Sequence, residues 1–259
     1  MRHLIFIYFI NFINVLIQST PIFAQTSLEK AEKYFSVRCE IIDNGKANSS
    51  NIDDAIKFYK KSNAEPERTI GLLKSYEFKA SWTDVSKNEK LALYEKAITL
   101  AENKTIDFPE NGAIAYWHVA NYARRADLLN ITEAAQEGVI DKIKSLAEKA
   151  IKLDEYYNQA GALRLLGGIH LEVPSIPLIL SWPSYEEAEK LLERAYQIAP
   201  EHPANVYLYA KLLYEIDEIS RSEKLLEELI KRTPRKHFEL VDAKYIQKGQ
   251  EFFENNFDY

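Results

Sequence analysis

The sequence predicts an all-α solenoid of stacked helical hairpins, and three observations carry that fold class. Near the end of the chain, Ala188, Leu192, Ala195 and Pro200 recur as Ser222, Leu226, Leu229 and Pro234, each 34 residues later. The same small-x₃-large-x₂-small register returns in five segments. Gly and Pro number only 8 and 9 in 259 residues and cluster at a few places. Almost everything between them is amphipathic at helical spacing, with acids and bases alternating on the exposed side. A helical repeat cannot bury its apolar face alone, so each unit stacks on its neighbours.

Residues 1–24 have the layout of a secretory signal peptide. Arg2 and His3 give a positive start, Leu4 to Ile17 is apolar apart from Asn11 and Asn14, and Pro21-Ile-Phe-Ala24 suits a cut before Gln25. The alternative is a membrane anchor, but the run is shorter than the ~18–20 apolar residues a span needs. No later stretch is apolar enough to cross a bilayer, and no lipid-attachment cysteine follows the run. Residues 25–259 then form one helical domain. Its expected location is the periplasm of a bacterium or the secreted fraction.

The chain carries a net charge of −6, and loss of the first 24 residues, with one Arg and no acid, makes it one unit more negative. An acidic balance argues against nucleic acid as a partner, because phosphates call for clustered cations. The single cysteine, Cys39, excludes an intrachain disulfide framework. It reads as a small buried apolar group, with a reactive thiol as the alternative. The sequons at Asn48, Asn103 and Asn130 read as chance in a chain this rich in Asn, Ser and Thr.

Five second helices follow from the register: Ala55/Tyr59/Ser62, Lys90/Tyr94/Ala97, Ile143/Ala147/Ala150, Ala188/Leu192/Ala195 and Ser222/Leu226/Leu229. Lys90 is a poor match, and the clearest repeats span 184–234. First helices are expected over 113–126, over 160–172 and from Pro203, which suits the first helical position. Their packed faces hold Tyr116, Val119, Ala120 and Ala123, then Leu163, Leu166, Gly167 and His170, then Val206, Tyr209, Ala210 and Leu213. The small residues Ala120, Gly167 and Ala210 mark the closest helix approaches. Residues 66–80 are helical without a fixed register. A cap helix with a charged outer side covers about 239–255.

Between Val173 and Ser184 the repeat is broken by Pro174, Pro177 and Pro183, which exclude a continuous helix. About nine extra, mostly apolar residues sit here. Either they plug the solenoid's own core or rim, or they line a ligand cavity or meet a partner, with Trp182 as the candidate contact.

The 34-residue period with a closing proline resembles the second half of a tetratricopeptide (TPR) repeat. More specifically, Gly161-Ala-Leu-Arg-Leu-Leu-Gly-Gly-Ile-His170, the Pro174–Pro183 insertion, Tyr185-Glu-Glu-Ala-Glu-Lys-Leu-Leu-Glu-Arg-Ala195 and Ala199-Pro-Glu-His-Pro-Ala-Asn205 resemble the T-component family of TRAP transporters. Ala115–Ala126 and Ala147–Asp154 fit the same pattern, so the resemblance covers roughly 110–232. It implies a periplasmic all-helical protein that partners a substrate-binding subunit for organic acids.

No catalytic motif is present. The five His residues (3, 118, 170, 202 and 237) lack zinc-site spacing, and there is no nucleophile elbow or phosphate loop. His170 reads as a satisfied core histidine. Acid pairs such as Glu186/Glu187 read as solvated surface, and Lys231–His237 as cations closing a helix. No catalytic residue, metal or cofactor is therefore expected.

In a TPR array the first helices line the concave side. The register aims Ile114, Trp117, Asn121 and Arg124 at that wall, then Gly161, Arg164, Gly168 and Leu171, then Ala204, Tyr207, Lys211 and Tyr214. Three cations and three aromatics on an acidic protein suit an acidic peptide segment or a carboxylate. The alternative is that Arg124 and Arg164 pair with internal acids. The expected function is a non-enzymatic scaffold for a protein partner. A generic envelope adaptor and a small-ligand carrier with a cavity under the proline loop are the alternatives, and the oligomeric state is open.

Overall fold

The structure is a computed structural model that describes residues 26–40, 42–129, 138–174 and 181–257. The signal segment, Asn130 and most of the proline loop lie outside the described residues. Those described contain eleven helices, paired into five hairpins with one closing helix.

The first hairpin is α1 (Ser27–Ser36) with α2 (Ser49–Lys61). A capping box opens α1: the Thr26 hydroxyl accepts from the Glu29 amide, and the Glu29 carboxylate accepts from the Thr26 amide. Between the two helices lies an element not anticipated from helical patterning, a two-stranded ribbon of β1 (Ile42–Asp43) and β2 (Lys46–Ala47). Its turn is Asn44-Gly45, both at positive φ, the dipeptide that a tight hairpin turn favours. Asn48 caps α2, its side chain accepting from the Ser50 amide at 2.9 Å.

The next hairpins are α3 (Glu67–Trp82) with α4 (Lys87–Asp107), and α5 (Gly112–Ala126) with α6 (Val139–Leu153). They are followed by α7 (Tyr157–Glu172) with α8 (Tyr185–Ile198), and α9 (Pro203–Glu215) with α10 (Ile219–Ile230). Pro203 stands in the first turn of α9 as expected. Each helix packs on its hairpin partner, and α3, α5, α7 and α9 also pack on one another in order, forming an inner layer. Of the fifteen residues that define the second-helix register, all but Lys90 are buried. Burying that much small and aliphatic surface between layers is the main drive for the stack.

Two of the three small residues, Gly167 and Ala210, sit where helices nearly touch, while Ala120 borders the cavity described below. Ala210 is fully buried, and its carbonyl accepts from the Ser222 hydroxyl at 2.7 Å, tying α9 to α10. A side chain at Gly167 would meet Leu192 of α8 at 2.7 Å, so glycine sets the closeness of the α7–α8 hairpin.

One segment departs from regular helix. Asn158, Gln159 and Ala160, at the start of α7, all lie in the left-handed region. For non-glycine residues each such conformation costs roughly 1–2 kcal/mol. Surrounding contacts hold it: Asn158 donates to the Tyr116 hydroxyl at 2.7 Å, and the Gln159 carbonyl accepts from Arg164 at 3.0 Å.

The closing helix α11 (Glu239–Asn256) covers the span expected for the cap, with charged residues on its exposed side. Lys244, Gln247, Gln250, Glu251 and Glu254 are exposed and Lys248 is half-buried, with Lys244 and Lys248 at the border of the cavity described next.

Candidate functional site

α11 lies across the inner layer and closes it. Tyr207 of α9 packs against Tyr245 and Phe252, with ring centroids 5.9 and 6.4 Å apart. Tyr214 packs edge-on against Phe252 and Phe257. Just before α11 the chain reaches back to the first hairpin. Arg38 donates to the His237 carbonyl at 2.9 Å and stacks near Phe238, and Leu240 joins the core formed by α1, α2 and α3. The last repeat is thereby joined to the first.

Beside α11 is a cavity of about 480 Å³, open to solvent and bordered by α3, α5, α7, α9 and α11 and by Phe35 and Arg38 at the end of the first helix. That volume falls in the range of small-molecule sites. Its walls carry six cations (Arg38, Lys74, Arg124, Arg164, Lys244 and Lys248) against three acids (Glu77, Asp127 and Glu172), with seven aromatic side chains.

The residues expected on the concave wall divide into two groups. Trp117, Arg124 and Arg164 border the cavity, from α5 and α7. Trp117 is held by donation from its indole Nε1 to the Tyr157 hydroxyl at 3.0 Å. Arg124 meets Glu77 at 3.4 Å and Asp127 at 3.3 Å. Arg164 instead bonds neutral acceptors, the Gln159 carbonyl and Asn205 Oδ1 at 2.7 Å. The pairing with internal acids thus holds for Arg124, while Arg164 meets only neutral groups in these contacts.

Asn121, Tyr207, Lys211 and Tyr214 do not border the cavity. Asn121 is 0 % exposed and donates to the carbonyls of Trp117 and Leu73, tying α5 to α3. Tyr207 is 6 % exposed beneath α11, and burial pushes its hydroxyl up to about 12. Lys211 pairs with Glu172 at 3.2 Å. Their register is that of an open concave face. For Tyr207 and Tyr214 that face is covered by the aromatic side of the closing helix, whereas Asn121 is taken up by packing on α3 and Lys211 by its pair on α7.

Trp182 bridges α6 of the preceding hairpin and α7 of its own. Its Nε1 donates to Asp141 at 2.7 Å, its ring meets His170 edge-on, and Lys144 sits 4.7 Å above it. These contacts seat Trp182 on the outer rim of the solenoid, and residues 175–180 of the proline segment lie outside the described residues. His170 Nδ1 accepts from the Ser184 amide at 3.2 Å, which makes it a satisfied, neutral core histidine.

Several cavity residues were not foreseen. Lys244, Tyr245 and Lys248 lie on α11, and Arg38 and Phe238 belong to turns. A signal was available for the first group: Lys244 and Lys248 are one turn apart, on the side of the helix that also carries Tyr245. Burial, reinforced by the nearby Arg124 and Lys248, lowers the Lys244 ammonium below its usual value. His202 caps α9 through Nδ1 and is pushed down to about 2 by burial, with Arg164 and Arg235 adding to the shift.

Among the described residues no helix is long and apolar enough to cross a membrane. A tetratricopeptide repeat family model matches residues 184–243, which span α8, α9, α10 and the start of α11. No curated protein matches the chain. The chain is a TPR-like all-α solenoid, an architecture that serves as a scaffold for protein partners.

Proposed function

We propose that this protein is an exported, non-catalytic scaffold that holds a partner protein, in the manner of the T-component of TRAP transport systems. The observation that carries the reading is the α7–α8 hairpin. Arg164, Leu166 and Gly167 and then Ala188, Leu192 and Ala195 bear the resemblance to that family. In the structure they form one tightly packed unit, with Arg164 turned to the central cavity. Glu186 and Lys190 form a solvent-facing ion pair on the same hairpin, without a catalytic arrangement. The partner expected from the resemblance is an extracytoplasmic substrate-binding subunit for organic acids.

The test is recovery of the tagged protein from a bacterial envelope after mild cross-linking, with its N-terminus sequenced. A mature start near Gln25 and a cross-linked substrate-binding subunit are the expected results. A chain that keeps Met1 in the inner membrane overturns export. A correctly exported chain cross-linked only to other envelope machinery overturns the transport role in favour of a general adaptor.

A further inference from the structure

The charge inside the ring is not balanced by its own walls. Lys74 is answered by Glu32 at 3.1 Å, Arg124 by Glu77 and Asp127, and Glu172 is taken by Lys211. That leaves Arg38, Arg164, Lys244 and Lys248, none with a carboxylate oxygen of a described residue within 4.0 Å. Arg38 is 8 % exposed, and its Nε has no partner. Its guanidinium is held between Phe35 and Phe78, at 4.2 and 5.0 Å from the ring centroids. Keeping the Arg38 guanidinium away from water without a paired carboxylate is costly, and an entering anion relieves that cost; Lys248 is half-buried and Lys244 exposed, so both can reach a solute at the cavity mouth. Lys244 and Lys248 also sit over aromatic faces, Trp82 at 5.5 Å and Tyr245 at 5.8 Å. Cations and flat apolar surface therefore alternate around one solvent-open cavity.

We infer that the central cavity binds a small organic acid, its carboxylate held by Lys244 and Lys248 and its flat apolar body set against the aromatic wall that includes Trp82 and Trp117. Arg164 and Arg38 add positive potential at the other walls. A bare inorganic anion would leave the aromatic wall unfilled, and a neutral aromatic would leave the ammonium groups uncompensated. The inference stands whichever protein the scaffold holds, because it concerns the isolated chain.

The test uses tryptophan fluorescence of the full protein carrying Trp182→Phe, which leaves Trp82 and Trp117 as reporters, both at the cavity. The probes are 4-phenylbutyrate, its neutral amide, and inorganic phosphate. Saturable quenching by the carboxylate is expected, with the amide weaker by about tenfold or more and phosphate without effect. Lys244→Gln combined with Lys248→Gln should weaken 4-phenylbutyrate binding about tenfold or more, with circular dichroism and melting unchanged within a few degrees. Equal binding of acid and amide, quenching by phosphate alone, no saturable carboxylate binding, or full binding by a folded double variant would each overturn the inference. Should the double variant fail to fold, raised salt on the parent protein decides: carboxylate binding must fall as ionic strength rises.

Discussion

Arg235 grips the carboxylate of Asp242 through three nitrogens: its own backbone amide at 2.8 Å, Nε at 2.8 Å and Nη2 at 2.9 Å. Its remaining arm donates to the Gln159 side chain. Asp242 is 0 % exposed. This clamp fixes where α11 begins and links it to the left-handed turn that opens α7.

Breaking the clamp should loosen the closure before the stack itself. Asp242→Ala leaves the Arg235 charge half-buried and unanswered. A loss of about 3 kcal/mol is expected from denaturant midpoints, together with faster amide exchange in α11 than in α8 or α10. Uniformly faster exchange, with no preference for α11, would show that the clamp does not act on the closing helix.

Acid should destabilise the fold through buried histidines. His118 is pushed down to about 4 by burial, with Lys142 and Lys149 adding to it, and His202 to about 2. Both folded values lie below the unfolded value, so the neutral forms stabilise the fold. That stability is complete above about pH 6.5 and is lost as pH falls toward the folded values. At pH 5 each contributes a loss of about 2 kcal/mol. His202→Asn keeps a capping acceptor without the titration, so its denaturant midpoint should fall less between pH 7 and pH 5 than that of the parent. Parallel losses would mean His202 does not resist protonation in the fold.

The register can be tested by overpacking. Ala210→Leu pushes against the tightly apposed α10 and should cost about 1–3 kcal/mol, whereas Ala120→Leu, at the cavity border, should cost less. Exposed Lys224→Ala should cost under about 0.5 kcal/mol. Equal melting temperatures for Ala210→Leu and Lys224→Ala would contradict the α9–α10 packing.

Tyr207 and Lys211 share a helix but not a role. Tyr207→Ala removes the ring beneath Tyr245 and Phe252 and should cost about 3 kcal/mol or more. Lys211→Ala breaks only a partly exposed pair and should cost under about 1 kcal/mol. A folded, fully stable Tyr207→Ala would mean that α11 does not rest on that ring.

The hairpin layers were legible because their evidence is local. Ala188/Leu192/Ala195 and Ser222/Leu226/Leu229 carry periodicity that survives without tertiary context, and Pro203 announces its own helix start. The inner wall was legible only in part. Trp117, Arg124 and Arg164 reach the cavity as their register indicates, but Tyr207 and Tyr214 meet a helix whose docking depends on contacts far along the chain. Arg38 to His237 spans 199 residues, and no periodic pattern encodes such a pairing. The Asn44-Gly45 ribbon was missed for another reason: its strands are too short to alternate visibly, and only the dipeptide marks it.

The return of the chain from α10 to the first hairpin has a mechanical consequence. An open helical array behaves as a row of springs, fraying from its ends and changing curvature as repeats shift against their neighbours. Here the ends are fastened to each other through Arg38, Phe238 and Leu240. Curvature becomes a fixed property, and no terminal repeat can peel away without opening the ring. Unfolding should therefore be all-or-none across the five hairpins, in contrast to the stepwise unzipping of an open array. The same fastening makes the final eighteen-residue helix part of the tie between the two ends, so displacing it is the motion that frees the curvature.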